Sequence, residues 1–490
     1  MKSSVLSVLT CFVVLPLAGC VRVQRYHPLP LAPAATAASI ESRTLGSPAL
    51  EGILEKGLGH KLHSWPEQNW DLQMLTLAAI YYSPALQQAR AQVSAADAAV
   101  VTAGEKPNPT FHLQPGIPSP YLFALDFLLP IRTAGRRRIM VRQAKDLSLA
   151  ARLSLAQATW QVYSNVRAAL VNYFVAKQGV SLLQAQERLQ ADRVRLLRQR
   201  FAAGEISRPI VSNARVSLLQ AYVRLETAEG RVPETRAALA ASIGVPVTAL
   251  KGIHFVWPDF SNPPSPRSIS SRHIQREAVL NRLDVRKALA QYAAAQSALQ
   301  LEIARQYPNF QLGPGYDYEE GNNYFTLAYS LTLPIFNHNQ GPIAKAEAQR
   351  KLAASAFLAA QASAIAQSEA ALARYRSEWR NLNASEQALA QLEHGVIPKE
   401  RSTVAAGEAS RLALYAVLSQ RPAMAQTWLN SLAQTQSALG ALENSVERPL
   451  VSDEIVLKAQ SSNHAEELPG SRSRDTGLKP VRSRNQKGMQ

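Results

Sequence analysis

Cysteine is nearly absent from this sequence: of 490 residues only Cys11 and Cys20 carry a thiol. Cys11 sits inside an apolar N-terminal run that reads as a removable signal, so one thiol is expected to survive processing. That excludes an internal disulfide and a zinc site of four thiolates. Long apolar runs are missing too, because outside that N-terminal stretch no window approaches the roughly 20 residues that a membrane-spanning helix needs. Acidic residues are in deficit, 36 against 53 Lys and Arg, for a formal charge of +17. Also missing is any serine, histidine and acid arrangement, phosphate-cradling glycine loop or ligand cluster of metal-binding spacing. The expectation is a protein that is not an enzyme and has no cofactor. His60 and His63 share an i, i+3 spacing in a segment without periodicity, and His338 stands at a strand-to-helix junction, so neither is read as a metal ligand.

What is present begins with Lys2, an apolar run from Val5 to Leu17, and Leu17-Ala18-Gly19-Cys20. This is the pattern of a bacterial lipoprotein signal over residues 1–19, with Cys20 as the lipidated (palmitate-bearing) first residue of the mature chain. Val21 follows where an aspartate would resemble the inner-membrane retention signal, so the outer membrane is expected. The alternative is an ordinary secretory signal cut elsewhere. A chain with an export signal is not expected to bind nucleic acid, and its arginines are dispersed. Arg193, Arg195, Arg198 and Arg200 spread around a helix, and only Arg136, Arg137 and Arg138 form a tight run. A solvated helical surface accounts for them, with phosphate or lipopolysaccharide contact by the Arg136 run as the alternative.

Residues 20–70 are rich in Pro, Ala and Ser and read as an extended leader. Leu86, Ala89, Val93, Ala96, Val100 and Ala103 then step by three and four, one stripe of a helix, which Pro107 and Pro109 end. From Gly135 to about Arg200 there is no proline and one glycine, Gly179, and the same spacing predicts a helix over 135–200, roughly 100 Å long. Gly204 suits its C-cap, Ser207 the next N-cap and Pro209 a first helical turn, so the chain should reverse there. The return helix is placed at 209–242, with a kink at Pro233.

Two β-hairpins interrupt these helices, at 110–129 and 310–333. In the second, Phe325, Leu327, Tyr329, Leu331 and Leu333 alternate with Thr326, Ala328, Ser330 and Thr332, a strand with one apolar and one polar face. In the first, Phe123, Leu125, Phe127 and Leu129 alternate with Ala124 and Asp126. The two halves repeat each other. Pro109-Thr110-Phe111 matches Pro308-Asn309-Phe310, Leu129-Pro130-Ile131 matches Leu333-Pro334-Ile335, and Ala203-Gly204-Glu205-Ile206-Ser207-Arg208 matches Ala406-Gly407-Glu408-Ala409-Ser410-Arg411, at offsets of 199, 204 and 203 residues. The chain is a tandem duplication: a first repeat over 71–248, a proline-rich linker over 249–272, and a second repeat over 273–447. The second repeat has its long helix at 341–403, kinked at Pro398, and its return helix at 411–445. A disordered tail is expected over 448–490.

Four strands with lipid on one face and water on the other leave two open edges, which hydrocarbon does not tolerate. Closure must come from other copies of the chain. Two copies give eight strands and three give twelve, and the larger count is the one that leaves an open water path. The alanine-rich helical stripes would pack side by side into a tube that continues the barrel. The fold class expected is mainly α with a small β part: duplicated long helical hairpins in a trimeric α-barrel tunnel, capped by a 12-stranded β-barrel with four strands per chain.

Over about residues 65 to 447 the sequence resembles the outer-membrane efflux protein family, the TolC-like channels. The duplicated element order carries the resemblance. It is supported by Ser83-Pro84-Ala85-Leu86, Pro107-Asn108-Pro109, Gly135-Arg136-Arg137, and the run Leu333-Pro334-Ile335-Phe336-Asn337-His338-Asn339-Gln340-Gly341. That run is most similar to the heavy-metal cation export (CzcC-like) branch. The resemblance implies a homotrimer spanning the outer membrane. It also implies a helical tunnel in the periplasm whose tips dock on a periplasmic adaptor and an inner-membrane pump of the RND type. Ile210 and Val211 stand where the family often carries an aspartate after the first reversal.

Site expectations follow. Phe123, Leu125, Phe127, Phe325, Leu327 and Tyr329 should face lipid, and His112 and Asp126 the barrel lumen. Gly204, Glu205, Ser207, Gly407, Glu408 and Ser410 form the tips that should contact the adaptor. The expected function is an outer-membrane duct that passively conducts metal cations or drugs from pump and adaptor to the exterior. A periplasmic coiled-coil lipoprotein with a structural role in the envelope is the alternative.

Overall fold

The computed structural model describes residues 25–116 and 122–450. Cys20, the signal over 1–19 and nearly all of the expected tail lie outside the described residues. The chain divides into two compact units, residues 1–43 and 44–490. In the described part of the first, α1 (Pro33–Glu41) is an alanine-rich helix with no buried side chain.

In the second unit the stretch expected to be an extended leader contains α2 (Pro48–Leu58), with Pro48 in its first turn and Gly59 left-handed at its C-cap. Leu50 and Leu54, one turn apart, are fully buried, and they join Trp70 in one apolar core. The period of two short turns was too brief to stand out among the surrounding Pro, Ala and Ser. Strand β1 (Asn69–Trp70) leads into α3 (Leu72–Tyr82), whose start is capped by the Asp71 carboxylate accepting from the Met74 N–H at 2.8 Å. Helix α4 (Pro84–Gly104) follows, with Ser83 as its N-cap.

Strands β2 (Thr110–Pro115) and β3 (Leu122–Ile131) come next. The 67-residue helix α5 (Arg136–Ala202) then runs without a break, and α6 (Arg208–Ile243) returns beside it. Pro233 lies inside α6 and does not divide it. The linker is not featureless: β4 (His254–Phe255) pairs in parallel with β1, and Phe260 is buried.

The second repeat opens with α7 (Ser271–Asn281) and α8 (Leu283–Ala304), then β5 (Phe310–Glu319) and β6 (Asn322–Leu331). Helix α9 (Gln340–Ala390) ends in a widened π turn, Gln391–Val396, just before Pro398. A proline lacks an amide proton and its ring crowds the carbonyl four residues back, and the widened turn accommodates both. Helices α10 (Ile397–Ala405), α11 (Arg411–Leu418) and α12 (Gln420–Val446) complete the chain. Among the described residues no helix is long and apolar enough to cross a membrane.

Each repeat has its own core where its helices gather. In the first, Trp160, Tyr163, Val166 and Leu170 of α5 meet α3 and Leu239 and Ile243 of α6. In the second, Leu372 and Tyr375 of α9 meet Ile274 of α7 and Leu439 and Leu442 of α12. Helix α12 also packs along α5, so the repeats are joined through their helices as well as through the sheet.

Candidate channel wall and helical tips

The four long strands form one sheet in the order β2-β3-β5-β6, antiparallel throughout. The join between repeats is the β3–β5 pairing, where Leu125 faces Tyr316 and Asp126 faces Gly315. It requires backbone without side chains at one place: a Cβ on Gly313 would overlap the Phe127 carbonyl. Side chains alternate across a strand, so the register assigns every residue to a face. One face carries Phe111 and Leu113, then Phe123, Leu125, Phe127 and Leu129, then Leu312, Tyr316 and Tyr318, then Phe325, Leu327, Tyr329 and Leu331. Phe325 is 88% exposed and Leu327 72%. An exposed, continuous apolar face of this kind marks contact with lipid or a partner.

The other face is mainly polar, with Leu122, Leu128 and Tyr324 also on it. His112 stands opposite Asp126 in the β2–β3 pair, and Gly315 stands between Asp126 and Thr326. The Asp126 carboxylate leans over the bare backbone of Gly315, where an added Cβ would come within 2.5 Å of it. Gln114, Gln311, Asp317, Glu319 and Ser330 share this side by the same register. Sequence reasoning selected His112 and Asp126 and missed Asp317 and Glu319. The alternation of Gln311, Gly313, Gly315, Asp317 and Glu319 within β5 was the available signal, masked by its two glycines.

Sheet and helices meet at a junction held by arginines. Arg136 donates to the carbonyls of Ala304 and Arg305, at 3.1 and 3.3 Å, and to that of Tyr307. Arg137 donates to the Gly104 carbonyl. One residue thus caps the end of α8 and its neighbour the end of α4, satisfying carbonyls that have no partner within their helices. Burial lowers the Arg136 pKa, with the nearby Arg305 charge acting in the same direction. The duplicated position uses different chemistry: Asn339, left-handed like Gly135, donates from its amide to the Glu302 carbonyl at 2.7 Å. These contacts, rather than solvent or phosphate alone, occupy two of the three arginines of the basic run.

At the opposite end both reversals share one geometry. Gly204 and Gly407 are left-handed, with φ of 77° and 80°. The Glu205 N–H bonds the Arg200 carbonyl and the Gly204 N–H that of Phe201, both at 2.9 Å; Glu408 to Thr403 and Gly407 to Val404 repeat this at 3.0 and 3.1 Å. This is the Schellman closure, which needs a residue free to adopt positive φ. Ser410 caps α11 by accepting from the Ala413 N–H at 3.3 Å, whereas Ser207 makes no side-chain cap bond. Glu205 lies 3.7 Å from Arg200. Leu412 packs beside Val194 and Leu197, so the fold sets the two tips side by side.

Between sheet and tips the helices are tied by polar contacts. Asp97 of α4 accepts from Ser148 at 2.5 Å and pairs with Arg152 at 3.1 Å; the Ser148 bond and then the Arg152 bond hold its pKa below the usual value. Asp146 of α5 faces Ser297 of α8, and burial outweighs that bond and raises its pKa. Deepest is Arg167 of α5. It lies 3.2 Å from the Glu443 carboxylate, donates at 2.8 Å to the Gln436 carbonyl of α12, and sits over the Trp257 ring. Among the described residues no three His, Cys, Asp or Glu side chains gather as a metal site.

Comparison with known proteins agrees with this geometry. Residues 78–245 match the model of the family described as outer membrane efflux protein. The chain is 26% identical over 233 residues to the cobalt-zinc-cadmium resistance protein CzcC of Cupriavidus metallidurans, covering 47% of this chain and 54% of that protein. To the pyoverdine export outer membrane protein OpmQ of Pseudomonas aeruginosa it is 29% identical over 167 residues, covering 33% of this chain and 34% of that one. The chain thus matches about half and about a third of these relatives' lengths. The fold superposes on the outer membrane protein VceC of Vibrio cholerae with a TM-score of 0.63 at 18% identity, covering 78% of this chain and 97% of that one. Mostly helical with a four-stranded sheet, the chain shares the fold of that outer membrane protein. Over residues 78–245 this chain is therefore similar to the outer membrane efflux protein family.

Proposed function

We propose that this protein is the outer-membrane channel component of a tripartite efflux system of the RND type. Three copies close the four-stranded sheets into a 12-stranded barrel, and their helices form a tunnel into the periplasm. The observation that carries this reading is the two-faced sheet, apolar from Phe111 to Leu331 on one side and polar from His112 to Ser330 on the other. Such a sheet with two open edges is stable in hydrocarbon only when closed on other copies. Phe123, Leu125, Phe127, Phe325, Leu327 and Tyr329 face lipid, while His112 and Asp126 face the lumen. A pore-free envelope scaffold has no use for this face.

Gly204, Glu205 and Ser207, with Gly407, Glu408 and Ser410, present matching surfaces to a periplasmic adaptor, and the pump supplies the energy. The similarity to the cobalt-zinc-cadmium resistance protein CzcC favours metal cations as cargo and that to the pyoverdine export protein OpmQ favours an organic compound. Either passes through the same passive duct. Cys20 carries the lipid that anchors the leader to the outer membrane.

Purified protein in planar lipid bilayers is expected to conduct, and more strongly when Gly204→Ala and Gly407→Ala strain both reversals. Absence of conductance in both forms would refute the channel.

A further inference from the structure

Residues 131–145, where β3 passes into α5, hold six Lys and Arg and no Asp or Glu. Arg136 and Arg137 cap helix ends, and Arg132 donates to the Glu105 carbonyl at 3.3 Å. Arg138, Arg142 and Lys145 are left, all exposed. None of the three is in an ion pair among the described residues. Arg142 reaches the Gln300 amide oxygen at 3.4 Å, and its charge acts on the neighbouring Asp146. At 3.6 residues per turn the three share one stripe of α5. Arg136 and Asp146 turn to α8, and Arg137 and Ser148 to α4, so the stripe lies on a face that neither flanking helix covers.

Chirality decides which side of the wall that face occupies. The Gly116 N–H bonds the Leu122 carbonyl, so the even-numbered residues of β3 aim their backbone groups at β2. For L-residues this places β2 to the left of β3 when the apolar face is viewed with the helices uppermost. Helices α4, α5 and α8 are neighbours in the order of their strands β2, β3 and β5. With α4 to its left and α8 to its right, a right-handed helix rising from the sheet turns Arg138, Arg142 and Lys145 towards the viewer. The basic stripe therefore continues the apolar face of the sheet and not the polar one.

We infer that Arg138, Arg142 and Lys145 form a docking site for the headgroup of an anionic phospholipid in the leaflet nearest the helices. The inference rests on the channel reading above, which gives the apolar face to hydrocarbon. The headgroup layer is about 5–7 Å deep on each side of the hydrocarbon, and the stripe runs roughly 10 Å from Arg138 to Lys145. The long stems of Arg and Lys let the farther charges bend back into that layer. Guanidinium forks match phosphate oxygens in geometry as well as charge. Because α5 has α4 and α8 of its own copy on either side, closure on other copies through β2 and β6 leaves the stripe uncovered. At the offset of 204 residues that relates Leu129 to Leu333, the second repeat carries Pro342, Ala346 and Gln349, without charge. Each copy therefore offers one such site.

The test is lipid binding by the purified full-length trimer in detergent, titrated with phosphatidylglycerol or with phosphatidylethanolamine of the same acyl chains and read by native mass spectrometry. Wild type is expected to take up phosphatidylglycerol in preference, one molecule per copy. Each basic charge near an anionic lipid is worth about fivefold in binding. Arg138→Gln, Arg142→Gln and Lys145→Gln should each weaken the preference by about that factor, and together abolish it. A control with Arg198→Gln, Arg215→Gln and Arg224→Gln, exposed on the long hairpin away from the sheet, should keep it. Equal binding of the two lipids by wild type, a triple variant that keeps the preference, or the same loss in the control overturns the inference and leaves a conducting channel standing. Displacement of the lipid by free glycerol phosphate also overturns it, because the ligand would then be a soluble phosphate ester. A triple variant that no longer assembles is replaced by the three single variants, each of which must lose affinity or the inference fails. Wild type that forms no membrane-inserted trimer overturns the channel reading, and this inference with it.

Discussion

Arg167 is a charged side chain in a place where charge is expensive. Its side chain and that of Glu443 are 5% and 1% exposed, 3.2 Å apart, on helices from different repeats. Taking two ions out of water costs several kcal/mol each, and the pair is tolerable because Gln436 and the Trp257 ring complete the guanidinium's surroundings. Arg167→Ala takes the guanidinium away from Glu443 and is expected to cost about 3–5 kcal/mol, read as a lower thermal transition of the purified protein. Arg167→Met with Glu443→Leu, which removes both charges and keeps volume, should recover most of that loss. Asp146 behaves differently. Its folded-state pKa is raised by burial, so the stability it contributes is complete below the ordinary aspartate pKa and is lost as pH rises through the folded value. Asp146→Asn should therefore raise the transition temperature at pH 8 and leave it unchanged near pH 3. A gain of equal size at both pH values would contradict the assignment.

At the scale of elements, the sheet depends on one crossing. Antiparallel strands within a hairpin form locally, but β3 and β5 come from different repeats and must approach until the Gly313 backbone meets the Phe127 carbonyl. Gly313→Val places a branched side chain into that carbonyl. The heat-modifiable oligomer is expected to disappear while the far-ultraviolet helical signal of the long hairpins persists. Loss of both together would mean that the helices cannot fold without the sheet. The junctions show the same economy in another form: Gly135 and Asn339 take one left-handed conformation at equivalent places, yet the end of the preceding helix is capped by Arg137 in the first repeat and by the Asn339 amide in the second.

For the whole molecule the open question is closure. Exposed Phe325 and Leu327 on β6 and Phe111 and Leu113 on β2 lie on one face at the two edges of the sheet. A neighbouring copy that pairs its β2 with this β6 continues the apolar face without interruption. Membrane extracts of wild type should give a trimer that resists dodecyl sulfate until heated. For the anchor, radioactive palmitate should label the wild type and not Cys20→Ser, and label retained by the variant would refute lipidation at that residue.

The sequence by itself determined the duplication, the long helices, the reversals at Gly204 and Gly407 and the two-faced strands. All of these are written in local periods of two or about 3.6 residues and in residues whose backbone preferences act within one turn. It missed α2, whose apolar pattern was diluted by its neighbours, and it placed the Arg136 run on the surface, where Arg137 and Arg138 are exposed, without showing that Arg136 and Arg137 cap helix ends. It also singled out His112 and Asp126 of the residues on the more polar face of the sheet, and not Asp317 and Glu319. Only the tertiary structure decided these, because each depends on contacts between distant segments: Arg136 with α8's carbonyls, Arg167 with Glu443, and β3 with β5. No period in one stretch of chain encodes the register of a strand against a partner some 190 residues away, and the facing of every side chain in the sheet follows from that register.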